Sequence, residues 1–205
     1  MKKISIAVLA SGRGSNFHAI INGIKKGEVS AEIKVLLTNN PDAGAIKIAK
    51  RNNIPVEVVE KEKFPDREQF DLEIKKKLDG YDVELVVLAG YMLLIKSKTL
   101  LDAYRNRIIN IHPALLPAFP GLEAQKQAFE YGVHVSGVTI HFVDESLDHV
   151  PIIHQEAVDI SDCKTTDEAA KKILKKEHGT YKKVIDSFSR GKYVIEGRKA
   201  KFVPY

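Results

Sequence analysis

The feature that most constrains this chain is an alternation: short apolar runs keep giving way to longer segments whose apolar residues recur every three or four positions. Ile4 to Ala10 is the first such run, and a turn-forming stretch, Ser11 to Asn16, follows it. Phe17, Ile20, Ile21 and Ile24 then keep the i, i+3, i+4, i+7 spacing of one helix face, with Gly27 placed to end that helix in a left-handed conformation. Strands are expected at Ile33 to Thr38, Val56 to Glu60 and Val83 to Ala89. Between them fall a helix over Ala43 to Lys50 and another that Asp66 caps, with Phe70, Ile74 and Leu78 on its buried side. Further strands are expected at Arg107 to Ile111, Gly137 to Val143 and Ile152 to Val158, and a long helix from Thr166 to Ser189. Val83 to Ala89 is apolar on both faces, as a central parallel strand covered on both sides must be. The alternation therefore predicts an α/β fold, a doubly wound, mostly parallel sheet flanked by helices. No linker, repeat or low-complexity segment interrupts it, so residues 1–205 read as a single domain.

Composition narrows the class. With 44% hydrophobic and 29% charged residues, disordered and disulfide-scaffold classes are excluded. The single cysteine, Cys163, can supply neither an internal disulfide nor a multi-cysteine zinc site, which suits a reducing compartment. The longest uncharged apolar stretch, residues 85–95, falls well short of the roughly 20 residues a membrane span needs. Met1-Lys2-Lys3 leads into a strand with no cleavage pattern, so a cytoplasmic protein with no membrane partner is expected. The formal charge of +5 invites a nucleic-acid reading, but the lysines are scattered over solvated helix faces beside acids such as Glu73 and Glu177. No nucleic-acid partner is expected; small anionic ligands are.

In an open α/β sheet, ligands sit beyond the carboxyl ends of the strands. Gly12 and Gly14 in the first strand-to-helix loop let backbone approach an anion, and the amides of Gly14, Ser15 and Asn16 are placed at a helix N-terminus. A dinucleotide is disfavoured. Phe17 stands where the third glycine belongs, and Thr38-Asn39-Asn40 where an acid would read the ribose. Taken alone, the two glycines fit a plain tight turn equally well. At Asn110-Ile111-His112-Pro113, side chains two apart on a strand project together at its carboxyl end: an amide suited to an oxyanion and an imidazole suited to proton transfer. The segment His141 to Pro151 adds carboxylates after another strand, and one of them near His112 would raise the imidazole pKa. A strand-end histidine by itself is more often structural than catalytic. His112, His141, His149, His154 and Asp148 match no standard metal-ligand spacing, so no metal is expected.

Four segments together carry a resemblance: Ala10 to Asn16, Leu88 to Met92, Asn110 to Gly121 with its Asn-Ile-His-Pro-Ala-Leu-Leu-Pro-Ala-Phe-Pro-Gly sequence, and Leu147-Asp148 before Pro151. The chain resembles the phosphoribosylglycinamide formyltransferases, folate-dependent enzymes of purine (IMP) biosynthesis with a Rossmann-like fold. The resemblance implies that Asn110, His112 and Asp148 are catalytic and that Gly14, Ser15, Asn16 and Glu177 hold the nucleotide substrate. It also implies that Arg67, Met92, Leu93, Leu94, Ile95 and Asn110 hold the folate. Arg67 suits a carboxylate of the folate tail, and backbone at 92–95 suits the pterin edge, although these apolar residues alone read as ordinary core. The co-substrates implied are 10-formyltetrahydrofolate and glycinamide ribonucleotide, without a metal, handled by a monomer or homodimer. The nucleotide half would span about 1–100 and the folate and catalytic half about 101–205. Glu123 and Val150 depart from the family's usual histidine and glycine.

Three other functions share parts of this pattern. A formyltetrahydrofolate hydrolase would pass the formyl group to water, and a methionyl-tRNA formyltransferase would need an RNA-binding domain for which this chain has no room. A non-enzymatic sensor of a phosphorylated metabolite would need only the Gly12 to Asn16 loop.

Overall fold

Side chains of the first strand, β1 (Ile4–Leu9), point alternately into two separate cores. Ile6 and Val8 join one with Phe17, Ile20 and Ile173; Ala7 and Leu9 join the other with Phe70, Ile74 and Leu78. A strand buried on both faces needs a helical layer on each side, which is what the uncharged runs in the sequence demand. The structure, a computed structural model, describes residues 2–144 and 151–205. After β1 come α1 (Ser15–Lys25), β2 (Ala31–Thr38), α2 (Gly44–Arg51), β3 (Val56–Val58), α3 (Arg67–Asp79) and β4 (Leu85–Leu88). Then follow α4 (Lys98–Ala103), β5 (Ile108–His112), α5 (Ala124–Tyr131), β6 (Val135–Phe142), β7 (Ile152–Asp159), α6 (Thr166–Ser187), β8 (Gly191–Glu196) and β9 (Lys199–Pro204).

Among the described residues the sheet runs β3-β2-β1-β4-β5-β6-β7-β9-β8. The first five strands are parallel, and β6 and β7 continue the sheet antiparallel. Helices α1, α2, α5 and α6 cover one face, α3 and α4 the other. From α6, the buried Tyr181 hydroxyl lies 2.8 Å from the Leu88 carbonyl and 3.2 Å from that of Ile109, tying the long helix to β4 and β5. Strand order reverses between β1 and β4, and their following loops meet there: Ser11 N–H donates to the Gly90 carbonyl at 3.0 Å. That crevice is where such sheets bind ligands.

The expected elements are all present, with ends shifted by a residue or two; the strand expected to run to Glu60 stops at Val58. Asp66 caps α3 by accepting the Gln69 N–H at 2.8 Å, and Gly27 has a φ of +73° two residues past α1. Helices α4 and α5 and the β8–β9 hairpin were not expected. Helix α4 has only six residues, too few for a full helical repeat to show. Helix α5 starts at the end of a proline-rich segment, and the residue that precedes it, Glu123, has a φ of +56°. The hairpin had a legible signal, Gly197-Arg198 between two alternating runs, with Gly197 at +63°.

Candidate active site

The loop after β1 is built by packing as much as by ligand geometry. Gly14 precedes α1 with a φ of +78°, and a Cβ there would lie 2.9 Å from Ala45 of α2. Close approach of an anion is thus not what requires this glycine: the left-handed backbone and the contact with α2 already do. A Cβ on Gly12 would meet nothing within 4 Å, so the open face of the loop lies there. Gly14 contributes no side-chain cap to α1. Asn16 is buried, and its Nδ2 donates to Glu177 Oε2 at 2.6 Å, joining positions 161 apart in sequence. Burial raises the Glu177 carboxyl above its ordinary pKa, and the Asn16 amide opposes that shift. Asn16 Oδ1 is buried without a hydrogen-bond partner, an acceptor with capacity to spare.

The loop after β4 leans on the first. Ser11 Oγ donates to Asn39 Oδ1 at 2.6 Å and accepts the Met92 N–H at 2.9 Å. Met92 and Leu94 are 58% and 55% exposed, so the reading of this segment as ordinary core fails for them. Ile95 is packed inward with Leu100 and Leu101, and its side chain is core. Leu93 is half-buried. Arg67, at the start of α3, donates through Nη2 to the Leu94 carbonyl and lies 4.8 Å over the Phe70 ring. Position 67 and the 92–95 segment are therefore together.

Asn110 and His112 end β5 and share one face with the residues opposite them on β6, His141 and Thr139. Asn110 Nδ2 lies 3.3 Å from His141 Nε2, and His141 Nδ1 lies 2.8 Å from the Phe142 carbonyl. His112 Nε2 lies 2.7 Å from the Phe119 carbonyl. Burial pushes both imidazoles below their ordinary pKa, and the hydrogen bonds to carbonyls act the other way. Asp148 and Val150 lie outside the described residues.

Thr139 holds the loop that carries Phe119. Its hydroxyl donates to the Ala114 carbonyl at 2.7 Å and accepts from the Leu116 N–H at 3.0 Å, while Gln155 Nε2 reaches Thr139 Oγ1 and the Leu116 carbonyl, both at 2.9 Å. The Leu116–Pro117 peptide is cis. Thr139 was legible only as the residue two before His141 on the same strand face. Among the described residues no group of three or more His, Cys, Asp or Glu could hold a metal, and no helix is long and apolar enough to cross a membrane.

Residues 4–185, which include this crevice and the Asn110–His112 pair, match the formyl transferase family. The chain belongs to that family. Its sequence is 45% identical over 185 residues to the phosphoribosylglycinamide formyltransferase of Bacillus subtilis, covering 90% of this chain and 93% of that one. It is 34% identical to the Escherichia coli phosphoribosylglycinamide formyltransferase, over 92% of this chain and 89% of that one. The crystal structure of glycinamide ribonucleotide transformylase 1 from Symbiobacterium toebii superposes with a TM-score of 0.93 at 42% identity, over 98% of this chain and 94% of that chain. The doubly wound, mostly parallel architecture is the one those enzymes have.

Proposed function

We propose that this formyl transferase moves the formyl group of 10-formyltetrahydrofolate to the glycine amine of glycinamide ribonucleotide, a step of purine biosynthesis. The observation that carries the reading is the Asn110–His112 pair on one strand face within a chain matched along nearly its whole length by enzymes of that name. The exposed apolar side chains of Met92 and Leu94 beside Arg67 suit a flat ring with an anionic tail. The open loop at Gly12 to Ser15 suits a phosphate, and the Asn16–Glu177 pair suits ribose hydroxyls. These contacts come from both ends of the chain, so residues 1–205 are proposed to act as one unit, in the reducing cytoplasm that the free Cys163 suits.

The chemistry follows from the donors and acceptors. The substrate amine attacks the formyl carbon, a C–N bond forms, and the carbonyl oxygen becomes an oxyanion. One Asn110 N–H points to His141; the other is available to that oxyanion. Because a carbonyl only accepts, His112 Nε2 carries the proton it donates to Phe119, which leaves Nδ1 as the basic nitrogen of the neutral ring. His112 Nδ1 takes the proton from the attacking amine and returns it to the departing folate nitrogen as the second C–N bond breaks. Asp148 is proposed to orient the protonated ring. No step needs a metal. The test is mass-spectrometric: wild-type protein with both substrates should yield the formylated nucleotide, and His112→Ala should make it at least about 100-fold more slowly. Absence of the formylated nucleotide with wild-type protein would overturn the reading.

A further inference from the structure

Behind Arg67 lies a carboxylate that the site described so far does not use. Asp71 stands one helical turn further along α3, and its side chain is 0% exposed. Its Oδ2 accepts two backbone N–H groups of the loop after β4, from Lys96 at 2.7 Å and Ser97 at 2.9 Å. Its Oδ1 sits 3.3 Å from Arg67 Nε. Glu68 adds a further tie, accepting from the Ser97 hydroxyl at 2.7 Å.

Holding two amides does not require a charge. The carbonyl oxygen of an asparagine has two lone pairs and would accept both. A fully buried anion is costly, and it persists where a cation offsets it. The cation that faces it is Arg67, whose side chain is 19% exposed and so still reaches the surface. The Leu94 carbonyl at Nη2 and the Phe70 ring beneath orient the guanidinium, and the Asp71 carboxylate adds charge attraction at the Nε edge without a hydrogen bond. None of these contacts uses Nη1.

We infer that Asp71 is a positioning residue, which locks Arg67 and the 94–97 loop in one geometry so that the outer edge of the guanidinium faces the carboxylate of the folate tail. The inference rests on the reading of Arg67 as the tail contact. It assigns the Asp71 charge to specificity for a tailed folate, and the Asp71 hydrogen bonds to loop structure. Asp71→Asn separates the two: the neutral amide keeps an acceptor for the Lys96 and Ser97 amides and loses the charge that holds Arg67.

The experiment compares 10-formyltetrahydrofolate with an analogue whose benzoyl group ends without the glutamate, using the full chain. In Asp71→Asn, KM for the tailed folate should rise about 10-fold, with kcat, nucleotide KM and KM for the tail-free analogue each within about twofold of wild type. An equal rise for both folates, or no rise for either, overturns the inference. Arg67→Ala is run alongside. If it leaves the preference for the tailed folate intact, the reading of Arg67 itself fails, a result distinct from an effect of Arg67 without one of Asp71. If Asp71→Asn does not fold, Arg67→Lys carries the test, since one ammonium cannot occupy both the Asp71 edge and the tail edge. Loss of the tail preference supports the inference; full retention overturns it.

Discussion

Asn110 is held by His141: the Asn110 amide nitrogen stands 3.3 Å from His141 Nε2, across the antiparallel junction of β5 and β6. The far nitrogen of the same imidazole is 2.8 Å from the Phe142 carbonyl and must carry a proton to bond there. The neutral ring therefore has a bare Nε2 that accepts from Asn110 and fixes which way the amide points. His141→Ala should lower kcat about 10-fold, the worth of one positioning hydrogen bond, with little change in either KM. Steady-state kinetics at saturating concentrations of both substrates check this. An unchanged kcat would remove His141 from the account.

The same burial gives a pH dependence of stability. His112 and His141 both titrate below their ordinary value when folded, so the unfolded chain binds more protons in acid. Their contribution is fully present above a pH of about 6.5, the unfolded value, and is lost as pH falls through that value towards the folded ones. Melting temperature should drop between about pH 7 and 5, and His141→Gln should make that part of the profile shallower. A profile as steep in the variant as in wild type would contradict the assignment.

Glu177 has the opposite sign. Its folded pKa is raised by burial, so charging it costs stability: its contribution is fully present below the unfolded value and is lost as pH rises from there through the folded one. Glu177→Gln keeps an acceptor for Asn16 and removes the buried charge, so melting temperature at neutral pH should rise by about 2–4 °C. Nucleotide affinity should fall about 10-fold, since a charged acceptor binds hydroxyls more strongly than a neutral one. Differential scanning calorimetry and titration calorimetry separate the two effects.

Gly12 and Gly14 should behave differently. Gly14→Ala meets Ala45 at 2.9 Å in a left-handed backbone, and is expected to destabilise by about 1–3 kcal/mol. Gly12→Ala has open space and should leave the melting temperature within about 2 °C of wild type. Nucleotide affinity of Gly12→Ala then reports on the loop without a folding artefact.

Thr139→Val removes the hydroxyl that satisfies both the Ala114 carbonyl and the Leu116 N–H. Leaving these groups without that partner should cost about 1–3 kcal/mol, and kcat should fall with stability because Phe119, the partner of His112, rides on the same loop. Equilibrium urea denaturation measures the first and initial rates the second. A loss of stability at unchanged kcat would show that the loop does not hold His112.

How much of this was legible in the sequence depended on distance along the chain. Asn110 and His112 are two apart, so strand periodicity alone put them on one face, and Asp66 and Gly27 announced the ends of their helices locally. Contacts such as Asn16 with Glu177, or Asp71 with the Lys96 and Ser97 amides, join elements whose meeting is decided by sheet order, which no local pattern encodes. The apolar run 92–95 illustrates the limit: hydrophobicity cannot distinguish Met92 and Leu94, which face outward, from Ile95, which packs into the core. Gly14 shows the converse, a position whose glycine was legible while its packing reason, Ala45 on a neighbouring helix, was not.

The most direct test of the central claim follows loss of the formyl group from 10-formyltetrahydrofolate spectrophotometrically, with and without glycinamide ribonucleotide. The account predicts that loss depends on the nucleotide, at least about 100-fold faster in its presence, and that His112→Ala abolishes most of that gain. Loss at the same rate without the nucleotide would make water the acceptor and the chain a hydrolase, and binding of both ligands with no loss at all would make it a sensor; either result contradicts the account.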